Sequence, residues 1–394
     1  MSMARYDARY DVLVGSRAAK QLARLHPPNR RRALWMRLMA FAGRRPADGC
    51  VSMGRRWSNA CDARSSRGSA AAGRTAGLYR MPRGGRLEPG TQTLSGIVER
   101  EDFLATGDPA LREESDRGRV QLLDYTQLYE LWERQHWATQ DLDFSADRVD
   151  WQERFDDEER FQRMYGLSAF FIGEQRVTDE LGPIMRAAPT EEMRIFLSTQ
   201  IADEARHVRF FERFYSEVGV VDGTDGLAER LRATEQHLNH EFGQLFDGML
   251  KGRVDRLAAD PSDTECLVEA VTLYHMVIEG VLALTGQHFI ISYNERVGTL
   301  PGFVEGFKNV ARDEHRHVAF GARFLAEMAA TDDRYREAIH RMLVESLPVA
   351  EGVLRPPFAP EDDDDFELFG VSMRETREFA AQALSRRLRA IGLT

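Results

Sequence analysis

Asp203-Glu204-Ala205-Arg206-His207 returns later in the chain as Asp313-Glu314-His315-Arg316-His317. Each copy reads D-E-x-x-H. Residues three apart share a helix face, so Glu204 points with His207 and Glu314 with His317. A lone glutamate in apolar company precedes each copy. Glu174 follows Phe170, Phe171 and Ile172; Glu279 follows Val277 and Ile278. The intervals are 30 residues from 174 to 204 and 35 residues from 279 to 314. Such an interval suits an antiparallel hairpin whose second arm returns to the height of the first. Four helices then offer Glu, Glu-x-x-His, Glu and Glu-x-x-His at one level of a bundle.

That donor inventory is the ligand set of a dinuclear carboxylate site in a helical bundle. Four carboxylates with two neutral imidazoles suit two iron or manganese ions. Without metal, four core carboxylates repel one another and carry a heavy desolvation cost. One E-x-x-H alone is an ordinary surface pair. Two copies, each with its upstream glutamate, define a site. Zinc hydrolase chemistry fits poorly, because H-E-x-x-H is absent and carboxylates outnumber imidazoles. A metal-bound histidine gives its other N–H to an acceptor outside the metal. Asp313 is expected to serve a histidine on a neighbouring helix in this way. Asp203 fits either the same role or an ion pair with a nearby arginine. His275, one turn before Glu279, is read as core or as a neighbour of the ligands. His288 and His315 are read as satisfied or exposed helix residues.

The elements that must position these residues are all helical. The periodicity predicts helices over Asp156–Met185, Met193–Val218, Leu227–Leu257, Pro261–Asn294, Gly302–Ala329, Asp332–Val353 and Ser372–Ile391. Pro189–Glu192 reads as a helix start signal, and Asp141–Trp151 as a short loop in which Ser145 or Asp147 is placed to cap whatever begins there. Gly219–Gly226 and Gly298–Pro301 read as turns, and Arg355–Asp365 as a Pro- and Asp-rich loop. No strand signal stands out. The expectation is an all-α bundle. The most apolar run, Tyr274–Ile291, carries Glu279 and His288 and so reads as a buried core helix and not a membrane span.

Charge divides the 394 residues. Residues 1–100 hold 20 basic and six acidic residues, yet the whole chain carries a net −10. The stretch 1–100 therefore reads as an extension, with one or two short helices within 13–43 and no sustained period over Ser52–Gly85. An Arg-rich start is compatible with a transit peptide or a nucleic-acid tail. Against these stands a dispensable extension, or a start set too early, with Met81 as one alternative. The stretch is assigned no chemistry, and no nucleic-acid or membrane partner is supported. Lys20, Lys251 and Lys308 are the three lysines, a bias that reads as a GC-rich genome. Cys50, Cys61 and Cys266 form neither a disulfide framework nor a CxxC pair, which fits a reducing cytosol.

From about Val120 to Ala350 the chain resembles the small subunits of ribonucleotide reductase and their ferritin-like relatives. The resemblance rests on the two D-E-x-x-H segments, their upstream glutamates and W-x-x-x-D-L-D-F-S-x-D-R-x-D-W, here Trp137 to Trp151. It implies a ferritin-like four-helix bundle with additional helices over residues 115–394 and a dinuclear metal site in the core. The implied ligands are Glu174, Glu204, His207, Glu279, Glu314 and His317. It also implies an electron path from Trp137 through Asp313 to His207, and a homodimer.

Two branches of that superfamily compete. Reductase subunits that use a tyrosyl radical carry tyrosine four residues after the first ligand histidine; here Phe211 stands there. They usually end in a tail with a relay tyrosine, and the last nine residues here contain none. The segments Gly173–Thr178 and Val271–Gly286 are similar instead to the ligand-binding oxidases. In those, a valine and a tyrosine, matching Val177 and Tyr274, become joined by an ether bond when the site activates O2. Their metals are a manganese/iron pair, and a long-chain fatty acid binds nearby. The leading expectation is thus an O2-activating oxidase with an Mn/Fe or Fe/Fe site and an apolar or fatty-acid-like ligand. Phe170, Phe171, Phe210 and Phe211 are candidates to line its channel, with at least two of them expected in ordinary packing. The alternative is a ribonucleoside-diphosphate reductase small subunit without the usual radical tyrosine, working with a large subunit. A storage or inert bundle is the third reading, against which the chain length argues.

Overall fold

The computed structural model describes residues 122–393, apart from 222, 361 and 362. The expectations for residues 1–100, with Cys50, Cys61 and Met81, lie outside the described residues.

Ten helices carry the described fold. Asp124 caps α1 (Tyr125–Arg134) through a reciprocal box with Gln127. A short α2 (Ser145–Val149) runs into a π turn at Asp150–Arg154. Helix α3 (Asp157–Ala187) starts with a second reciprocal box, between Asp156 and Glu159. Helix α4 (Glu191–Val218) is capped by Thr190, inside the expected start signal, and closed by Gly219 at φ 78°. Helix α5 (Leu227–Glu235) is followed by α6, made of His240–Gly243, Gln244–Leu250 and Lys251–Ala259 in succession. Helix α7 (Thr264–Val297) precedes α8 (Pro301–Thr331), α9 (Asp333–Val353) and α10 (Met373–Ala390).

The break between α5 and α6 departs from the single helix expected over Leu227–Leu257. Asn239 accounts for it. Its carbonyl oxygen accepts from Phe242 N, and its amide donates to Gly352 O and Arg355 O. A side chain that caps one helix and ties down the end of another interrupts the rod. A second difference is a two-residue strand pair, β1 (Glu367–Leu368) and β2 (Val371–Ser372). Phe369 and Gly370 join them, both at positive φ, the geometry that tight hairpin turns require.

Helix α7 has the length and apolarity of a membrane span, but 94% of its apolar window is buried inside the protein. It is the central core helix. A large aliphatic core surrounds it, and a Phe-rich core of Phe171, Phe210, Phe211, Phe214, Phe303 and Phe307 fills the other end.

The segment Trp137–Trp151 positions α8 rather than capping its own helix. Neither Ser145 nor Asp147 caps α2, whose N-terminus has no side-chain cap. Asp147 instead accepts from Gly302 N (2.8 Å) and Phe303 N (2.7 Å), and Asp150 accepts from Leu300 N (2.7 Å). Two carboxylates thus satisfy the first donors of a helix more than 150 residues away and complement its dipole. Gly302 is required there, because a Cβ would come within 2.2 Å of Asp143 O. Asp147→Ala is expected to cost about 2 kcal/mol by orphaning two buried amides, read as a lower midpoint in urea unfolding.

Candidate metal centre

Four helices supply the six predicted donors: α3 gives Glu174, α4 gives Glu204 and His207, α7 gives Glu279, and α8 gives Glu314 and His317. All six are buried, none above 6% exposed. They form two groups, Glu174/Glu204/His207/Glu314 and Glu204/Glu279/Glu314/His317, each with donor atoms within 4.8 Å of one another. Glu204 and Glu314 belong to both.

Their oxygens are divided between the groups. His207 Nδ1 lies 3.3 Å from Glu174 Oε2, 3.3 Å from Glu204 Oε2 and 3.6 Å from Glu314 Oε1. His317 Nδ1 lies 3.2 Å from Glu204 Oε1, 3.3 Å from Glu279 Oε1 and 3.3 Å from Glu314 Oε2. Donors about 2.1 Å from one ion and at right angles to each other sit about 3 Å apart. The spacing therefore fits two neighbouring ions with Glu204 and Glu314 as bridges. Glu204 Oε2 and Glu279 Oε2 are buried without a hydrogen bond, which a metal would remedy.

The protonation pattern of the metal-free cluster agrees. Burial pushes Glu174 up to about 8, Glu314 up to about 7 and Glu279 well above the carboxylate range. Glu204 is opposed by burial too, but the adjoining His207 and His317 imidazoles hold it well below that range. Both histidines are raised despite burial, His207 first by the Glu174 charge and His317 first by its bond to Asp203. Protons thus hold together a cluster that is built for more positive charge.

Behind each imidazole stands an aspartate. His207 Nε2 is 3.3 Å from Asp313 Oδ2, and His317 Nε2 is 3.3 Å from Asp203 Oδ2. Burial opposes ionisation of Asp313, but the Arg316 guanidinium and the His207 bond keep it ionised, so it accepts. Each Nε2 then carries the proton, and each Nδ1 is turned to the carboxylates. Trp137 Nε1 donates to the same Asp313 oxygen at 2.7 Å. Asp203 is bonded to His317 and also pairs with Arg206 and Arg316, so it fills both of its expected roles, with the ion pairs buried rather than at the surface.

Tyr274 donates to Glu204 Oε1 at 2.8 Å. At 100° per residue, five positions would place it about 140° around the helix from Glu279. A π-helical stretch, Thr272–Ala283, has i→i+5 bonds and stacks residues five apart. The widening brings Tyr274 and Glu279 to the same cluster, which α-helical spacing would have kept apart. Gln200, one turn before Glu204 and also unforeseen, donates to Glu279 Oε1 (2.9 Å) and to the Tyr274 oxygen (3.2 Å). Its carbonyl meets His275 Nε2 at 3.1 Å. His275 therefore lies behind Gln200 and outside both donor groups, and burial pushes it down to about 3. His288 stacks on Phe379, and His315 Nδ1 meets Ala311 O at 2.7 Å.

An apolar cavity of about 150 Å³ opens onto the cluster, touching Glu174, Glu204, Glu279 and Glu314. Val177 and Tyr274 both line it. Of the four candidate phenylalanines, Phe170 lines it, while Phe171, Phe210 and Phe211 pack in the Phe-rich core. Phe289, farther along the Glu279 helix, also lines the cavity, and Phe242, Phe246 and Phe369 extend the aromatic wall from elements that the sequence had not connected to the site.

The model of the family "Ribonucleotide reductase, small chain" matches residues 119–394. This chain belongs to that family. Among solved structures it is similar to R2-like ligand-binding oxidases. One carries a valine-to-isoleucine substitution and an anaerobically reconstituted Mn/Fe cofactor. It is 26% identical, with a TM-score of 0.59 over 69% of this chain and 94% of that one. A tyrosine-to-phenylalanine variant with the same cofactor is 28% identical, with the same coverage and TM-score. A glycine-to-leucine variant with a non-activated Mn/Mn cofactor is 26% identical, again with the same coverage and TM-score. As a member of the reductase small-chain family, the chain keeps a phenyl ring at Phe211, fully buried against Phe171 and Phe303. The phenol that reaches the carboxylates is that of Tyr274.

Proposed function

We propose that this protein is an O2-activating oxidase with an Mn/Fe or Fe/Fe centre held by Glu174, Glu204, His207, Glu279, Glu314 and His317. When bound, the metals supply the reduction of dioxygen. The chain's residues do the rest. Glu204 and Glu314, which belong to both donor groups, would be shared between the two ions, and Asp313 and Asp203 fix the imidazoles through Nε2–H. The Phe-rich core and the aliphatic core exclude water. Trp137, on Asp313, carries electrons toward His207.

The observation that carries this reading is the hydrogen bond of the Tyr274 phenol to Glu204, beside a cavity that Val177 also lines. Glu204 is placed to take the phenolic proton. Loss of that hydrogen and of one from the Val177 side chain, with O2 as acceptor, joins the phenol oxygen to carbon as an ether. The apolar walls suit a fatty-acid-like ligand, whose carboxylate would face the metals. We assign the activity to residues 115–394 and give no part in it to residues 1–100. We also propose a homodimer, and a cytosolic setting in keeping with the buried free thiol of Cys266.

Peptide mass spectrometry after aerobic metal loading tests this reading. The Val177 and Tyr274 peptides are expected to appear joined, two hydrogens lighter than their sum. Tyr274→Phe is expected to abolish the joined species with metal content unchanged. Separate peptides in the wild type, together with activity conferred on a reductase large subunit, would favour the reductase reading instead.

A further inference from the structure

The hydrogen bonds behind the two imidazoles are related by an exchange of the two D-E-x-x-H segments. His207 on α4 meets Asp313 on α8, and Trp137 donates to that aspartate. His317 on α8 meets Asp203 on α4, and Trp132 Nε1 donates to that one at 2.9 Å. Both indoles come from one short stretch, five residues apart, and both are half-buried. Asp203 and His317, by contrast, are at most 1% exposed.

We propose that Trp132 is a second electron-entry residue, serving the metal that His317 would hold. The proposal rests on the dinuclear reading above. The route runs from a surface indole through a carboxylate to an imidazole, with gaps of 2.9 and 3.3 Å and no break in the hydrogen-bonded chain. Satisfying Asp203 does not by itself call for an indole. That carboxylate already receives Arg316 Nη2 (2.9 Å), Arg206 Nη1 (3.0 Å) and His317. The same two arginines reach Asp313, at 2.6 and 3.3 Å, so two positive charges balance two negative ones across the pair of routes. Arg316 also bonds Gln135, and Arg312 bonds the Gln135 carbonyl, which fixes the stretch between the two indoles. Both aspartates thereby stay ionised and accept from indole and imidazole together. In each transfer an external one-electron donor loses one electron and one metal(III) ion becomes metal(II). No bond in the protein forms or breaks.

The test uses the full chain, loaded with iron, oxidised in air and mixed anaerobically with reduced methyl viologen, a donor too large and charged for the apolar cavity. Trp137→Phe is expected to keep part of the wild-type reduction rate. The double variant Trp132→Phe/Trp137→Phe is expected to be slower than Trp137→Phe by about tenfold or more. Iron content and the visible spectrum of the oxidised site should match the wild type in all variants. Phenylhydrazine, small enough to enter the cavity, should reduce them all within about twofold of one another, which a merely structural loss would not allow. If the Phe variant fails to load iron, Trp132→Leu in the same background carries the same expectation. Reduction of the double variant within about twofold of Trp137→Phe, or an equal slowing with phenylhydrazine, overturns the proposal. A wild type that binds no metal would instead sink the dinuclear reading, and this inference with it.

Discussion

Glu204→Gln is expected to lower bound metal from about two ions per chain to less than about 0.2, measured by elemental analysis after anaerobic loading. The change is nearly isosteric, so packing in the core survives it. The charge and one oxygen do not. Glu204 turns Oε2 to His207 and Oε1 to His317, so each half of the cluster depends on it. An amide presents N–H to one of those halves and repels a cation there. Tyr274 also loses an anionic acceptor, since its phenol donates to Glu204 Oε1. Glu279→Gln makes the informative contrast. Glu279 belongs only to the group with His317, so about one ion per chain should remain, on the Glu174/His207 side. Equal losses in the two variants, or two ions in Glu204→Gln, would contradict the assignment of Glu204 as a bridge.

The contrast also marks what the text of the chain showed. Spacing alone brought six donors to one level, because i and i+3 on a helix face and a 30-residue hairpin are local arithmetic. Which carboxylates bridge was not legible, since that depends on how four helices turn relative to one another. Tyr274 was singled out through resemblance. Its place at the cluster needs the π-helical stretch Thr272–Ala283, and a residue count assumes α-helical spacing. Gln200 and Trp132 were missed for a related reason. Each matters through long-range hydrogen bonds, Gln200 to Glu279, Tyr274 and His275, and Trp132 to Asp203, and neither leaves a periodic trace. Asp147 and Asp150 were seen as part of a motif, and Asp147 as a cap for the wrong helix. A capping carboxylate looks the same in sequence whether its amides are three residues away or about 155. The break at Asn239, in contrast, carried its own signal, a residue type that favours helix starts, within a pattern that otherwise read as continuous.

The second large effect is a pH dependence that metal removes. In the metal-free fold, burial raises Glu174 to about 8 and Glu314 to about 7, against 4.5 for the unfolded chain. A group raised in this way contributes stability that is complete below its unfolded value and is lost as pH climbs through its folded value. His207 and His317, also raised, act in the same direction from about 6.5 upward. Asp203, Asp313 and Glu204 are depressed, so their contribution is lost only as pH falls, at the acid end. Between pH 6 and 8.5 the metal-free protein should therefore become less stable as pH rises. Glu174 alone accounts for about 2 kcal/mol over that range, at roughly 1.4 kcal/mol per unit while the folded chain keeps a proton that the unfolded chain has lost. For a domain of this size that is a fall in Tm of about 5 °C. Metal ions occupy the place of those protons, so the loaded protein should show little slope, and loading at pH 6.5 should release protons. Calorimetric unfolding across the pH series and metal titration in two buffers of different ionisation enthalpy measure both effects. A metal-free Tm that holds or rises from pH 6 to 8.5 would mean that the carboxylates are not held protonated. Metal uptake without proton release would mean that the ions bind elsewhere than among Glu174, Glu314 and the two histidines.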